Sequence, residues 1–267
     1  MKPYGGRLDY GASSDIKAIN VDSLWIINER YKSGKHSNVY HGNFIPQIPS
    51  HLIRRYAKEG ETVLDLFMGS GTTLFECERL RRNFIGYDIN KNIIDFVKFK
   101  MTDTESIRFE INVCDVTNSE YFEQTMFNSL RNLRIEKVDL LIAHPPYMDI
   151  VKFTDLEEDM SRISDLAIFI NKFTKALENG LRYLKRNRYF AIVVGDVYKK
   201  SEVIPLGFYL CNAAKQNFTV KLKGVIVKNI EGNRGKLGAY NIWKYRALKS
   251  DYYIFKHEYI FVFKKEF

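Results

Sequence analysis

Two stretches of this chain carry residue types whose spacing could do chemistry. The first is Asp65-Leu66-Phe67-Met68-Gly69-Ser70-Gly71-Thr72-Thr73, where a short apolar run meets an acid and then a turn with two glycines separated by one small residue. The segment that follows, Leu74 to Leu80, reads as helix. Strand, tight glycine turn and helix make the cradle that open α/β folds offer to a nucleotide or a phosphate. The glycines permit positive φ and a close approach of backbone to ligand, while Thr72 and Thr73 stand where a helix cap is needed. About 20 residues after the loop, Asp88 closes a second apolar run, an offset at which a carboxylate can accept both hydroxyls of a ribose. The same side chain could also cap a helix running from Asn90 to Met101, a role that does not exclude the first. The second stretch is His144-Pro145-Pro146-Tyr147, which ends a fourth apolar run and so falls at the sheet edge where ligands of such folds bind.

Positioning these residues requires an alternation of strands and helices. Strands are expected at Asn83 to Asp88, Ile107 to Val116, Val138 to Ala143, Tyr189 to Val197, Phe218 to Lys228 and Glu258 to Lys265, besides the run that leads into the glycine turn. Helices are expected from Ser50 to Lys58, Asn90 to Met101, 118 to 134, 155 to 184 with a break around Ser161 to Ser164, and Pro205 to Lys215. Tyr121, Phe122, Met126 and Leu130 share one helical face and read as core. Residues 1 to about 40 are broken up by glycine and serine, and read as an arm anchored by one strand or turn at Leu24-Trp25-Ile26-Ile27.

With 267 residues, 45% of them hydrophobic, the chain can bury a full core. Its net charge of +9 favours a polyanionic partner, and on charge alone a ribosomal or membrane-surface protein fits nearly as well. Cys77, Cys114 and Cys211 are odd in number and far apart, which argues against a disulfide framework or a zinc site and for a reducing compartment. No apolar run reaches membrane-spanning length and no signal peptide is visible, so the expected location is the cytoplasm.

The glycine stretch resembles the D-P-F-x-G-S-G-T-T loop of S-adenosylmethionine-dependent DNA methyltransferases that modify exocyclic amino groups. His144-Pro145-Pro146-Tyr147 is similar to their catalytic [DNS]-P-P-[YFW] tetrapeptide, and His41 to Pro49 looks like their cofactor-flanking stretch. No cysteine follows a proline, so the nucleophile of enzymes that methylate cytosine at carbon five is missing. The resemblance implies an α/β, Rossmann-like class I methyltransferase fold over residues 41–267, a mostly parallel seven-stranded sheet with an antiparallel C-terminal strand, preceded by an N-terminal arm over 1–40. It implies S-adenosylmethionine as cofactor, held by His41, Phe44 and Pro46 ahead of the loop, by Asp65, Phe67, Gly69, Ser70, Gly71, Thr72 and Thr73 within it, and by Asp88, Ile89, Asp115 and Val116 beyond it. For Asp115 a simple turn aspartate is an equal reading.

Methyl transfer to an amine is in-line displacement at a sulfonium, so catalysis rests on alignment and on acceptors for the amine's hydrogens. The resemblance assigns those acceptors to the first residue's side chain and the first proline's carbonyl, and gives the aromatic Tyr147 the stacking of a base flipped out of its helix. The chain departs from the pattern at His144. A neutral imidazole can accept one hydrogen bond and a protonated one can only donate, which predicts activity that falls as pH drops through the histidine pKa. The departure leaves adenine N6 and cytosine N4 both open as targets.

Residues 229–250 form a glycine-containing stretch with cations and rings interleaved, read as a basic loop in which Arg234, Lys236, Trp243, Lys244, Arg246 and Lys249 contact nucleic acid. The expected activity is thus base methylation in site-specific duplex DNA, without metal or membrane. A cognate restriction endonuclease is a partner the resemblance allows, and the oligomeric state stays open. The rival readings are an RNA base amino-methyltransferase and a nucleic-acid-binding protein whose catalytic site has decayed.

Overall fold

A computed structural model describes residues 19–36, 42–230 and 240–267. After β1 (Leu24–Trp25) the chain runs through α1 (Gln47–Tyr56), β2 (Thr62–Asp65), α2 (Thr72–Arg79), β3 (Asn83–Asp88), α3 (Lys91–Lys100) and β4 (Phe109–Val113). It continues through α4 (Ser119–Leu133), β5 (Val138–Ala143), α5 (Leu166–Tyr183) and β6 (Leu184–Val194). A small hairpin, β7 (Val197–Lys199) with β8 (Glu202–Ile204), precedes α6 (Leu206–Asn217), β9 (Val220–Asn229), α7 (Tyr240–Lys249) and β10 (His257–Lys265).

Apart from the hairpin, the strands form one sheet in the order β1-β9-β10-β6-β5-β2-β3-β4. Pairing is parallel throughout except at β10, which runs antiparallel to both β6 and β9. Among the described residues the sheet has eight strands where seven were expected. The eighth is β1, the anchor of the N-terminal arm, whose Trp25 is buried and pairs with Lys228 on β9. Central strands are apolar on both faces because helices cover both: Leu64 and Leu141 point into a cluster with α4, α5 and α6, and Val63 and Leu140 into one with α1, α2 and α3. The helix starts are written locally. Asn90 accepts from the N–H groups of Asn92 and Ile93, Asn118 from Tyr121, and Asp165 from Ile168.

Connectivity reverses direction between β2 and β5. From β2 the chain adds β3 and then β4 on one side, and it then crosses to lay β5 against the other side of β2. Such a switch point opens a crevice at the carboxyl ends of the two strands. Asp65 pairs with Ile142 across them, and the Leu66 N–H donates to the Ile142 carbonyl at 3.2 Å. The glycine turn and the Pro-Pro-Tyr tetrapeptide, 70-odd positions apart in sequence, therefore leave the sheet from adjacent strands in register.

Candidate active site

Above the switch point lies a cleft of about 1550 Å³. Leu66 to Gly69 and Thr72 form one wall, Asp88, Ile89 and Cys114 to Thr117 a second, and His144 to Tyr147 a third. Of the residues expected to hold a cofactor, Phe44, Phe67, Gly69, Thr72, Asp88, Ile89, Asp115 and Val116 line this space.

Asp65, Ser70, Gly71 and Thr73 lie behind the loop rather than on the cleft surface. Asp65 is buried, its Oδ1 accepting from the Phe67 N–H at 3.0 Å and its Oδ2 from the Thr73 hydroxyl at 2.5 Å. These bonds tie both arms of the turn together, so the side chain shapes the loop. Burial raises its carboxyl pKa to about 6. Thr72 and Thr73 do not cap α2. The cap position belongs to Gly71, left-handed at φ 85°, and Thr73 spends its hydroxyl on Asp65. An added Cβ at Gly71 would meet Val97 at 3.0 Å and Phe75 at 3.2 Å, which is why only glycine suits the turn. Pro46 sits at the start of α1, which begins at Gln47, earlier than the expected Ser50. His41 falls outside the described residues.

Asp88 is no helix cap, since Asn90 does that work. Its Oδ2 accepts from the Gly69 N–H at 2.9 Å and its Oδ1 from the Asn90 N–H at 2.8 Å. Burial outweighs these two bonds and raises its pKa to about 6. Asp115 accepts from the Thr117 N–H and hydroxyl at 2.9 and 2.8 Å, a turn aspartate that also faces the cleft.

In the tetrapeptide, the His144 ring is half-buried against Phe44, with centroids 4.8 Å apart, and its Nε2 lies 3.3 Å from the Tyr147 hydroxyl. Desolvation lowers its pKa to about 4, so the imidazole is neutral at ordinary pH and retains an acceptor nitrogen. The expected loss of activity on protonation is thereby displaced well below pH 6. Tyr147 stands edge-on to His144 and packs on Gly195, where an added Cβ would approach its ring to 3.1 Å.

Sequence reasoning missed several cleft residues. The segment from Asn28 to Ser33, with His36, forms a further wall, stapled by Arg30 to the Phe44 carbonyl at 3.1 Å and by His36 to the buried Glu76 at 2.8 Å. Lys228 on β9 and Glu258 on β10 also reach the cleft. Single residues on separate strands leave no local pattern that could have announced them. Part of the stretch read as a basic loop is helical: α7 presents Lys244, Arg246 and Lys249 to solvent, with the Arg246 guanidinium 5.4 Å from the Trp243 ring centre. Arg234 and Lys236 fall outside the described residues. Among the described residues no group of three or more His, Cys, Asp or Glu converges as a metal site, and no helix is long and apolar enough to cross a membrane.

A doubly wound sheet with an antiparallel strand near one edge and a glycine cradle at its switch point defines a class I methyltransferase. The pattern of the methyltransferase domain matches residues 57–236, and that of the DNA methylases matches residues 7–99. The type II methyltransferase M.MjaII of Methanocaldococcus jannaschii is 32% identical over 106 residues, 39% of this chain and 18% of that protein. The type II methyltransferase M.HindIII of Haemophilus influenzae is 36% identical over 108 residues, 35% of each chain. These matches thus span about a fifth to a third of the relatives' own length. The crystal structure of TrmN from Thermus thermophilus superposes with a TM-score of 0.53 at 17% identity, covering 84% of this chain and 50% of that one, a likeness of fold alone. The chain belongs to the S-adenosylmethionine-dependent methyltransferases, and its N-terminal third is similar to the DNA methylases.

Proposed function

We propose that this protein transfers the methyl group of S-adenosylmethionine to an exocyclic amine, cytosine N4 or adenine N6, of a base flipped out of duplex DNA. The observation that carries the reading is the pairing of β2 with β5, which sets the glycine cradle and His144 to Tyr147 on facing walls of one cleft. Asp88, with lone pairs beyond the two that accept from backbone, receives the ribose hydroxyls, and Phe44 with its neighbouring backbone, ahead of the glycine loop, meets the methionine end. The cofactor supplies an electrophilic methyl group on a good leaving group. The amine is a poor nucleophile while its lone pair is conjugated with the ring. Acceptors for its hydrogens, the Pro145 carbonyl and the neutral His144, draw the lone pair out of that conjugation, and Tyr147 stacks on the extruded base.

The charge of the chain and the exposed cations of α7 support duplex DNA as the substrate, as do the type II methyltransferases among its relatives. A cytoplasmic location fits that substrate. The test is to supply methyl-labelled S-adenosylmethionine together with duplex DNA, single-stranded DNA or RNA of mixed sequence. Label in duplex DNA is the expected result. Label confined to RNA would overturn the choice of substrate, and cofactor binding without label anywhere would leave a binding protein in place of an enzyme.

A further inference from the structure

Lys228 and Glu258 face each other as direct cross-strand partners on β9 and β10, and Lys228 Nζ donates to Glu258 Oε1 at 3.0 Å. Both residues are buried, 3% and 6% exposed, and both line the cleft that holds the tetrapeptide. The pair lies near Tyr147, since the Glu258 carboxylate helps keep that phenol in its neutral form and Tyr147 packs on Gly195, one step beyond the β6 residue opposite Tyr259. Backbone pairing fixes Lys228 on both sides, to Trp25 of β1 and to Glu258 of β10.

Burying two charges can cost more desolvation than their attraction returns, so a pair of this kind is weak evidence of a stability role. An ammonium has three N–H donors, and among the described residues Glu258 Oε1 is the acceptor that Lys228 has. Lys228 lines the cleft proposed to receive an extruded base, where its remaining donors are available. When such a base offers its amine to the tetrapeptide, the next atom along its Watson–Crick edge is a ring nitrogen, N1 in adenine and N3 in cytosine. Both are acceptors, whereas the corresponding atoms of guanine and thymine carry hydrogen and donate.

Resting on the proposed base methylation, we infer that Lys228 reads the target base by donating to the ring nitrogen beside its amine, and that Glu258 positions Lys228 for that contact. The pair admits amino bases and rejects oxo bases, whose N–H would meet an ammonium donor head-on. Lys228 is then a specificity residue that touches substrate, and Glu258 acts through it.

The experiment is a cycle of protein and substrate changes. Removing one partner alone would strand a buried charge, so the variant is the double substitution Lys228→Met with Glu258→Gln, checked for unchanged cofactor affinity and melting temperature. Wild type and variant are compared in single-turnover methylation of duplexes carrying the natural target base or its deaza analogue, 1-deazaadenine or 3-deazacytosine, in which carbon replaces the ring nitrogen. Wild type should favour the natural base by about tenfold to 100-fold. In the variant that preference should shrink to within about threefold. An equal preference in both proteins, or none in wild type, would overturn the inference while leaving base methylation intact. A wild-type protein that labels no natural nucleic acid would remove the proposed function and this inference together. Should the double variant lose cofactor affinity and melt early, the conservative Lys228→Arg, which keeps a donor, decides: a retained preference supports the inference, and a preference lost in a stable Lys228→Arg protein overturns it.

Discussion

The Gly69 N–H donates to Oδ2 of Asp88 at 2.9 Å, so the carboxylate that faces the cleft also fixes the glycine turn that opens it. The bond joins the end of β3 to the loop after β2, and the Met68 N–H reinforces it by donating to the Tyr87 carbonyl at 2.8 Å. The glycine cradle and the carboxylate proposed to accept the ribose are in this sense one unit. Asp88→Asn keeps the volume but loses the charge that strengthens every bond the side chain accepts. Such charge-assisted bonds are worth about 1.5–3 kcal/mol, so the cofactor dissociation constant should rise by about tenfold to 100-fold in titration calorimetry.

The same carboxyl makes cofactor affinity depend on pH. Its pKa in the free protein is raised to about 6 by burial, and hydroxyl donors from a ribose favour the ionised form. Binding therefore releases a proton below about pH 6. Affinity should climb as pH rises through 5 to 6 and level off above 7, and Asp88→Asn should flatten that profile. The sign for folding is opposite. Because the folded pKa lies above the unfolded one near 3.8, the ionised carboxyl costs stability as pH rises from about 4 to 6, and no further cost accrues above.

His144 should behave differently from an exposed histidine. With its pKa lowered to about 4, single-turnover transfer at saturating cofactor should stay level from pH 8 to pH 5.5. Folding stability, by contrast, should decline as pH falls from 6.5 towards 4, since the unfolded chain takes up the proton that the buried ring refuses. A rate that halves near pH 6.5 at saturating cofactor would show that the ring is solvated during the reaction.

Tyr147→Ala separates binding from transfer. Stacking of a base on an aromatic ring is worth about 1–3 kcal/mol, so transfer should fall by about tenfold to 100-fold while the cofactor constant, measured without DNA, changes by less than about threefold. Loss of both together would remove the stacking role.

Gly71→Val tests the turn itself. Its backbone at φ 85° disfavours any side chain, and a Cβ would press on Val97 and Phe75 beneath the loop. Overpacking of this kind costs about 1–3 kcal/mol, with a further cost of about 1 kcal/mol for the left-handed backbone. The lowered urea midpoint should accompany weakened cofactor binding, because the damage reaches the cleft through a displaced loop rather than by filling it.

Much of this architecture was legible because the signals are local. Alternating apolar runs, the two-glycine turn and the proline pair each specify their own element, and adjacency of β2 and β5 follows from the switch of direction. What was not legible depends on pairing between distant segments. Thr73 reads as a cap until Asp65 takes its hydroxyl, and Lys228 and Glu258 look like ordinary strand charges until β9 and β10 align. Residues 240–249 read as loop because glycines precede them and cations crowd them, yet Ala247 gives α7 one buried contact on which to fold.

Chemistry at an exocyclic amine leaves its mark on the modified nucleoside. Duplex DNA methylated by the purified protein with labelled S-adenosylmethionine should be digested to nucleosides and resolved by mass spectrometry. Label should appear in N4-methylcytosine or N6-methyladenine; label in 5-methylcytosine, or DNA that stays unmodified while RNA is labelled, would rule out transfer to an exocyclic amine of duplex DNA.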